Sequence, residues 1–155
     1  MSLLPQCPPT EVVIAATEAA QVAHRHSGCL RSRRGVALWQ PGEGHLTLGT
    51  NKPASGPACD GSDACKRVCG RVCIHAEQEA LLRCPDPVGA EMLHVKVDEN
   101  GQMVASGPPS CPECSKLILY AGVLGMWLLH ENGWVRYSAQ EFHEATLKNC
   151  GLIRE

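Results

Sequence analysis

The sequence is poor in aromatic residues and has no excess of basic charge. It contains three tryptophans, two tyrosines and one phenylalanine, and its formal net charge is −2 at pH 7. Proteins that bind a nucleic-acid strand use a basic surface and aromatic side chains on which bases stack. The composition therefore argues against a polynucleotide substrate and favours a small molecule.

The sequence also lacks a long hydrophobic run. Residues 1–7 combine neither a positively charged start nor an apolar stretch, so we expect no signal peptide and no membrane span. Without an export signal, the ten cysteines are better explained as reduced thiols and metal ligands than as a disulfide framework. We therefore expect one cytoplasmic domain over residues 1–155, which is long enough to bury a core.

Two short segments carry the recognisable chemistry. The first is His75-Ala76-Glu77, and the second is Cys111-Pro112-Glu113-Cys114. Two cysteines separated by two residues at a helix start lie on one side of the chain, and a helix N-terminus favours their thiolate form. One imidazole and two thiolates suit zinc and leave its fourth position open for water. We therefore predict that His75, Cys111 and Cys114 bind zinc.

Glu77 needs a different role. It lies two residues after His75, so on a helix the two side chains diverge and do not both bind one ion closely. Beside the bound water, its carboxylate can take a proton and pass it to a substrate nitrogen. The alternatives for this group are buried or disulfide-bonded cysteines, or a closed structural zinc site with a fourth cysteine. The His-Ala-Glu segment in the same chain favours an open catalytic site.

The stretch from Asn51 to Val72 is rich in Pro, Gly, Ser and Asp, and we predict a long functional loop there. Its cysteines could bind a second, structural zinc or remain free thiols, and their spacing does not decide between the two. On a helix, the last three would share one face, because they are spaced by four. The cysteines are Cys59, Cys65, Cys69 and Cys73.

The remaining pattern predicts a three-layer α/β/α domain around a mixed five-stranded sheet. Helices are expected over 11–27, 75–84, 114–120 and 139–149, and strands over 35–40, 45–50, 91–97, 102–106, 125–130 and 151–154. Because the helix over 139–149 separates the last two strands, those strands are expected to be parallel.

A His-x-Glu segment followed by Pro-Cys-x-x-Cys is the signature of zinc deaminases that act on nucleobases. With this motif, the chain resembles the cytidine deaminase-like superfamily, and its similarity is widest to deoxycytidylate deaminase-like and related nucleoside and nucleotide deaminases. The resemblance extends over the strand start at 33–38, the corner at 49–53 and the two motif segments. It departs from the family pattern at Ser110, where a proline is expected before Cys111.

This resemblance implies hydrolytic deamination of a free nucleoside or nucleotide, with a cytosine base favoured, and assembly into a homo-oligomer. It implies zinc on the predicted histidine and cysteines, proton transfer by Glu77, and substrate contacts from Asn51 and Ala76. A parallel final strand matches the branch that contains the deoxycytidylate, guanine and transfer-RNA adenosine deaminases. Free cytidine deaminases are of the antiparallel type.

Two other functions remain open at this point. One is a deaminase of another or modified base, of guanine or adenine type, or of a base in a nucleic-acid strand. The cluster of Arg31, Arg33 and Arg34 favours a nucleic-acid strand as the substrate, although it is also explained as a solubilising turn. The other is a non-catalytic, zinc-stabilised module that binds a nucleotide or a partner and makes no use of Glu77.

Overall fold

A mixed β-sheet with helices on both faces positions every functional side chain described below. The computed structural model describes residues 7–56 and 59–153. Its helices are α1 (Thr10–His26), α2 (Asp63–Val72), α3 (Ala76–Arg83), α4 (Pro112–Tyr120) and α5 (Ala139–Asn149). Its strands are β1 (Arg33–Trp39), β2 (Thr47–Thr50), β3 (Lys52–Pro53), β4 (Cys73–Ile74), β5 (Glu91–Val97), β6 (Met103–Val104), β7 (Gly125–His130) and β8 (Gly133–Ser138).

The main sheet has the strand order β2-β1-β5-β7-β8, and the two-residue strand β6 pairs with β5. Strands β5 and β7 are parallel, and α4 connects them, whereas the other neighbours in the sheet are antiparallel. The mixed α/β/α architecture is therefore confirmed. Five strands form the continuous order of the described sheet, and the two-residue β6 pairs with the end of β5 as a sixth.

Alternating side chains of β1 build a core on each face of the sheet. Ala37 and Trp39 pack against α1, and Val36 and Leu38 pack on the side of α3, α4 and α5. Helix α1 presents a row of buried alanines to the sheet. At Gly35 the backbone of α1 comes so close that an added Cβ would overlap the Ala19 carbonyl oxygen. The alanines and Gly35 thus allow a short distance between helix and sheet.

The prediction that the last two strands are parallel is wrong. Strand β7 is followed after two residues by β8, and the two form an antiparallel hairpin with Gly125 opposite Ser138. A parallel connection needs a dozen or more residues, so a two-residue link forces the antiparallel arrangement. Residues 151–153 form a turn and bends instead of the predicted strand, and Arg154 lies outside the described residues. The argument from a parallel final strand to the deoxycytidylate deaminase branch therefore fails.

The predicted long loop over 51–72 contains a helix. Ser62 caps α2 by accepting a hydrogen bond from the Cys65 backbone N–H at 3.1 Å. Strands β3 and β4 pair where this segment begins and ends, with Pro53 opposite Cys73. The spacing of four between cysteines was the signal for this helix, and the surrounding Gly and Ser residues obscured it.

None of the helices formed by residues 7–56 and 59–153 is long and apolar enough to cross a membrane.

Candidate active site

Two helix N-termini bring the predicted metal ligands together. His75 is the residue immediately before α3, and Cys111 is the residue immediately before α4. The His75 backbone N–H donates to the Gln78 side chain at 2.9 Å, which holds the start of α3. Pro112 occupies the first turn of α4, where its missing N–H costs no hydrogen bond. Each ligand is therefore held at a well-defined helix start.

The side chains of His75, Cys111 and Cys114 form one compact group. His75 Nδ1 lies 3.2 Å from Cys114 Sγ and 3.4 Å from Cys111 Sγ. Among the residues that the structure describes, this is the one group of three or more His, Cys, Asp or Glu side chains whose ligand atoms all lie within 4.8 Å of one another. An imidazole and two sulfurs are a donor set that fits zinc.

The protonation of this group also fits a metal site. The hydrogen bond from the Cys114 thiol is the largest of the effects that lower the pKa of Cys111 to about 4. The same hydrogen bond raises the pKa of Cys114, and the hydrogen bond with Cys111 raises the pKa of His75. One sulfur is thus already a thiolate near neutral pH. A bound cation would displace the proton of the second sulfur.

Glu77 lies in the first turn of α3, beside the ligand group and outside it. Its Oε2 accepts a hydrogen bond from the Cys114 thiol at 3.5 Å, and its Oε1 lies 3.5 Å from His94 Nε2. The carboxylate is therefore close enough to act on a molecule held at the group. Its role in proton transfer stays a prediction.

His94 is a functional candidate that the sequence analysis missed. It lies in β5 with 4% of its surface exposed, and burial lowers the pKa of its imidazole, so the ring is neutral at pH 7. Its Nδ1 lies 3.3 Å from Ser106 Oγ, and its Nε2 lies 3.3 Å from Arg34 Nη1. The available signal was a histidine inside an otherwise apolar strand segment, Met92 to Val95.

The three arginines of the basic cluster point to different places. Arg31 donates to the Gly61 carbonyl at 2.9 Å and pairs with Asp63. Arg33 Nη1 lies 3.5 Å from His24 Nδ1. Arg34 points towards His94, on the other face of the sheet. They do not form a single basic patch.

Asn51 holds the loops around the site. Its side-chain oxygen accepts from the Ser27 hydroxyl at 2.7 Å and from the Arg34 backbone N–H at 2.9 Å, and its amide nitrogen donates to the Ser32 carbonyl at 2.6 Å. One N–H of the amide is left for a ligand. The predicted contact of Asn51 with the substrate stays a prediction beside this observed structural role.

A cavity of about 440 Å³ opens over these side chains. It is lined by the ligand group, Ala76, Glu77, His94, Arg34 and Asn51. Ala76 is buried at the first position of α3, and its contact with a substrate stays a prediction. The volume suits a small heterocyclic molecule.

The cysteines of the predicted second zinc site are only partly brought together. Cys65 Sγ lies 3.3 Å from Cys59 Sγ. Hydrogen bonds with the Leu30 and Gly61 backbone lower the pKa of Cys59, and Cys29, which the sequence analysis did not include, adds to this lowering. Cys69 instead donates to the Lys66 carbonyl of its own helix at 3.4 Å. The charges of Cys69, Cys29 and Cys59 add to burial in raising the pKa of Cys73. A second zinc stays a prediction.

No family model matches this sequence, and no curated protein matches it. Solved structures do resemble the fold. The deoxycytidylate deaminase of cyanophage S-TIM5, in complex with dCMP and dUMP, is 25% identical over 77% of this chain and 82% of its own, with a TM-score of 0.54. Its apo form is 23% identical over the same shares, with a TM-score of 0.53.

A cytidine deaminase from Burkholderia pseudomallei is 20% identical over 83% of this chain and 94% of its own, with a TM-score of 0.56. These likenesses span most of each chain and include proteins named for both a nucleotide and a nucleoside. Together with the sheet order and the two facing helix starts, they establish the architecture. The chain has the cytidine deaminase-like fold and carries at its cavity a His/Cys/Cys group that fits zinc.

Proposed function

We propose that this protein is a zinc-dependent hydrolytic deaminase of a free nucleoside or nucleotide, with a cytosine base favoured. The observation that carries the proposal is the group of His75, Cys111 and Cys114 with the Glu77 carboxylate beside it. The donor set suits zinc, and three protein ligands leave a tetrahedral ion one position for water. The likeness to solved deaminases supports the same reaction class.

A zinc ion held by these side chains would supply a water molecule acidic enough to act as a nucleophile near neutral pH. Glu77 accepts one proton of the attacking water and delivers it to the ring nitrogen of the substrate. It then takes the second proton from the same oxygen and delivers it to the departing amine. The water oxygen forms a bond to the ring carbon, and the bond from that carbon to the exocyclic nitrogen breaks. Ammonia leaves and a carbonyl remains, with no change in oxidation state.

The partly buried position of Glu77 in the cavity wall suits this role. The His94 imidazole lies 3.5 Å from Glu77 Oε1 and limits the movement of the carboxylate at the edge of the cavity. Ser106 stands on the other side of His94 and limits the rotation of that ring. A carboxylate fixed in this way loses little freedom when it moves a proton.

The fold is compatible with either a nucleoside or a nucleotide as the substrate. The antiparallel hairpin β7–β8 matches the type that the resemblance associates with free cytidine deaminases, whereas one similar solved structure holds dCMP and dUMP. The arginine cluster no longer supports a nucleic-acid strand as the substrate, because its three side chains point to separate places.

The proposal is tested by mass spectrometry of a mixed pool of bases, nucleosides and nucleotides after incubation with zinc-loaded protein. Conversion of an amine-bearing compound to its carbonyl product, lost in Glu77→Ala, supports the proposal and names the substrate. If the wild-type protein binds zinc and converts no member of the pool, a non-catalytic binding module becomes the better explanation.

A further inference from the structure

Arg34, near the start of β1, brings a positive charge into the candidate active site. It lies two residues before Val36 in β1, so both side chains are on the face covered by α3 and α4. The adjacent strand places His94 directly opposite Val36. As a result, the half-buried Arg34 lines the same cavity as Glu77 and the metal-binding group.

The polar contacts of this guanidinium leave its charge uncompensated. Arg34 Nε donates to the Ser32 hydroxyl at 2.9 Å, and Nη1 lies 3.3 Å from His94 Nε2. Both partners are neutral, since burial keeps the His94 ring unprotonated. A guanidinium has five N–H donors, so most of them remain free to bind a ligand.

Three other arginines have carboxylate partners, whereas Arg25, Arg33, Arg67 and Arg71 make no ion pair among the described residues; Arg34 differs from these four because it lines the cavity. Arg31 pairs with Asp63, Arg83 with Glu79, and Arg136 with Glu91. Over the described ranges 7–56 and 59–153, Arg34 makes no ion pair. A partly buried charge without a partner is costly, and an anionic ligand would remove that cost.

The position of Arg34 relative to Glu77 limits where an anionic group can be attached to the bound molecule. The His94 ring contacts both side chains, through the same Nε2 atom, at 3.3 Å and 3.5 Å. A ligand atom bound by Arg34 is therefore only one side chain away from the carboxylate proposed to move the proton. Arg34 can reach a substituent of the reacting molecule without leaving the cavity.

We propose that Arg34 binds a negatively charged oxygen group of the substrate, so that the site prefers an anionic amine-bearing heterocycle to its neutral counterpart. This inference rests on the proposed deaminase function and narrows its substrate class. The shared chemistry is a carboxylate or phosphate whose paired oxygens match the planar guanidinium fork. A carboxylate on the ring and a phosphate carried by the sugar are the two sources.

The kinetic test compares three substrates that share one base: the nucleoside, its 5′-monophosphate and the base bearing a ring carboxylate. The proteins are wild type, Arg34→Gln and Arg34→Lys, with Arg33→Gln as the matched control. Arg33 is the neighbouring arginine and contacts His24 outside the cavity. The readout is the ratio of kcat/KM for each anionic substrate to kcat/KM for the nucleoside.

We expect wild type and Arg33→Gln to prefer one anionic substrate, and that substrate identifies the source of the charge. Arg34→Gln should lower the ratio by about 10- to 100-fold, as for a lost hydrogen bond between charged groups. Arg34→Lys keeps the charge without the fork and should lie between the two. A wild-type preference for the nucleoside, or an equal loss on all substrates in Arg34→Gln, would overturn the proposal.

A binding measurement separates this inference from the proposed reaction. Calorimetric titration of the 5′-monophosphate and of the ring carboxylate into zinc-loaded wild type and Arg34→Gln requires no turnover. Weaker binding of an anionic compound to Arg34→Gln, with no conversion by wild type, would keep the anion site and reject the deaminase. Equal binding to both proteins would reject the anion site.

Discussion

Glu77 is held between a thiol and an imidazole, each 3.5 Å from one of its oxygens. Its identity was clear from the His-x-Glu spacing, because a carboxylate two residues after a helix-start histidine diverges from that ligand. The neighbouring His94 could not be recognised from local spacing, because β5 places it beside Glu77 only in the assembled sheet. Individual residues of the site therefore differ in how far the sequence exposes their role.

Replacing Glu77 with Gln should abolish most of the activity and leave the metal bound. Glutamine keeps the size of the side chain and cannot accept the proton, so we expect kcat to fall by about 10²- to 10⁴-fold. Glu113→Gln is the matched control, since this exposed carboxylate lies between the two cysteines and pairs with Lys116. Steady-state kinetics and zinc content per chain provide the measurement. Loss of zinc from Glu77→Gln would contradict its place outside the ligand group.

Asn51→Ala should lower stability as well as any activity. The substitution removes three hydrogen bonds and leaves the Arg34 backbone N–H and the Ser32 carbonyl without this partner. We expect a loss of about 1–3 kcal/mol in the free energy of unfolding. Denaturant unfolding of wild type and variant measures it. An unchanged free energy, with an effect on KM alone, would show that Asn51 serves only the substrate.

At the scale of elements, α2 differs from the other helices because none of its residues is buried. Its Val68 and Val72 are 48% and 47% exposed, so it gains little from hydrophobic packing. It is held instead by the Ser62 cap, the ion pair of Asp63 with Arg31, and its cysteines. A metal bound by these thiols would stabilise a segment that has no core of its own.

Metal analysis should therefore find two zinc ions per chain, one of them dependent on Cys59. Cys59 is the buried member of the closest thiol pair, because its sulfur lies 3.3 Å from that of Cys65. Cys59→Ser should reduce the content to one zinc and increase amide hydrogen exchange in α2. Cys150→Ser, at an exposed cysteine, should keep both ions. A wild-type content of one zinc would exclude the second site.

At the scale of the whole molecule, the outer surface near α3 and α4 carries exposed apolar side chains. Leu82 on α3 is 79% exposed, Tyr120 on α4 is 93% exposed, and Val88 between these helices is 65% exposed. Exposed apolar surface of this kind is typical of a contact between proteins. The predicted homo-oligomer would bury it.

Light scattering coupled to size exclusion should therefore give a mass of at least two chains. The double variant Leu82→Ser with Tyr120→Ser should shift the protein towards the monomer, because serine removes the apolar contact area. Ile14→Ser is the control, since Ile14 is 54% exposed on α1, on the opposite face of the sheet. A monomeric wild type at all concentrations tested would contradict the prediction.

Much of the fold and of the metal-binding group could be predicted from local patterns. Helix α5 and strand β7 follow their predicted ranges of 139–149 and 125–130, and helix starts at His75 and Cys111 follow from local spacing. The final hairpin was missed because residues 131–138 were assigned to neither a helix nor a strand, whereas β8 occupies 133–138. An alternating pattern over only six residues is a weak signal for a strand, and the stronger helix pattern that follows it directly obscured it.

The sequence by itself determined the donor set of the candidate metal site, because the types and spacing of His75, Cys111 and Cys114 depend on short segments at helix starts. Only the tertiary structure decided which other groups share the cavity. Arg34 and His94 are 60 residues apart, and they meet because β1 and β5 are neighbours in the sheet. Which side chains meet across neighbouring strands depends on that register, which no local pattern records.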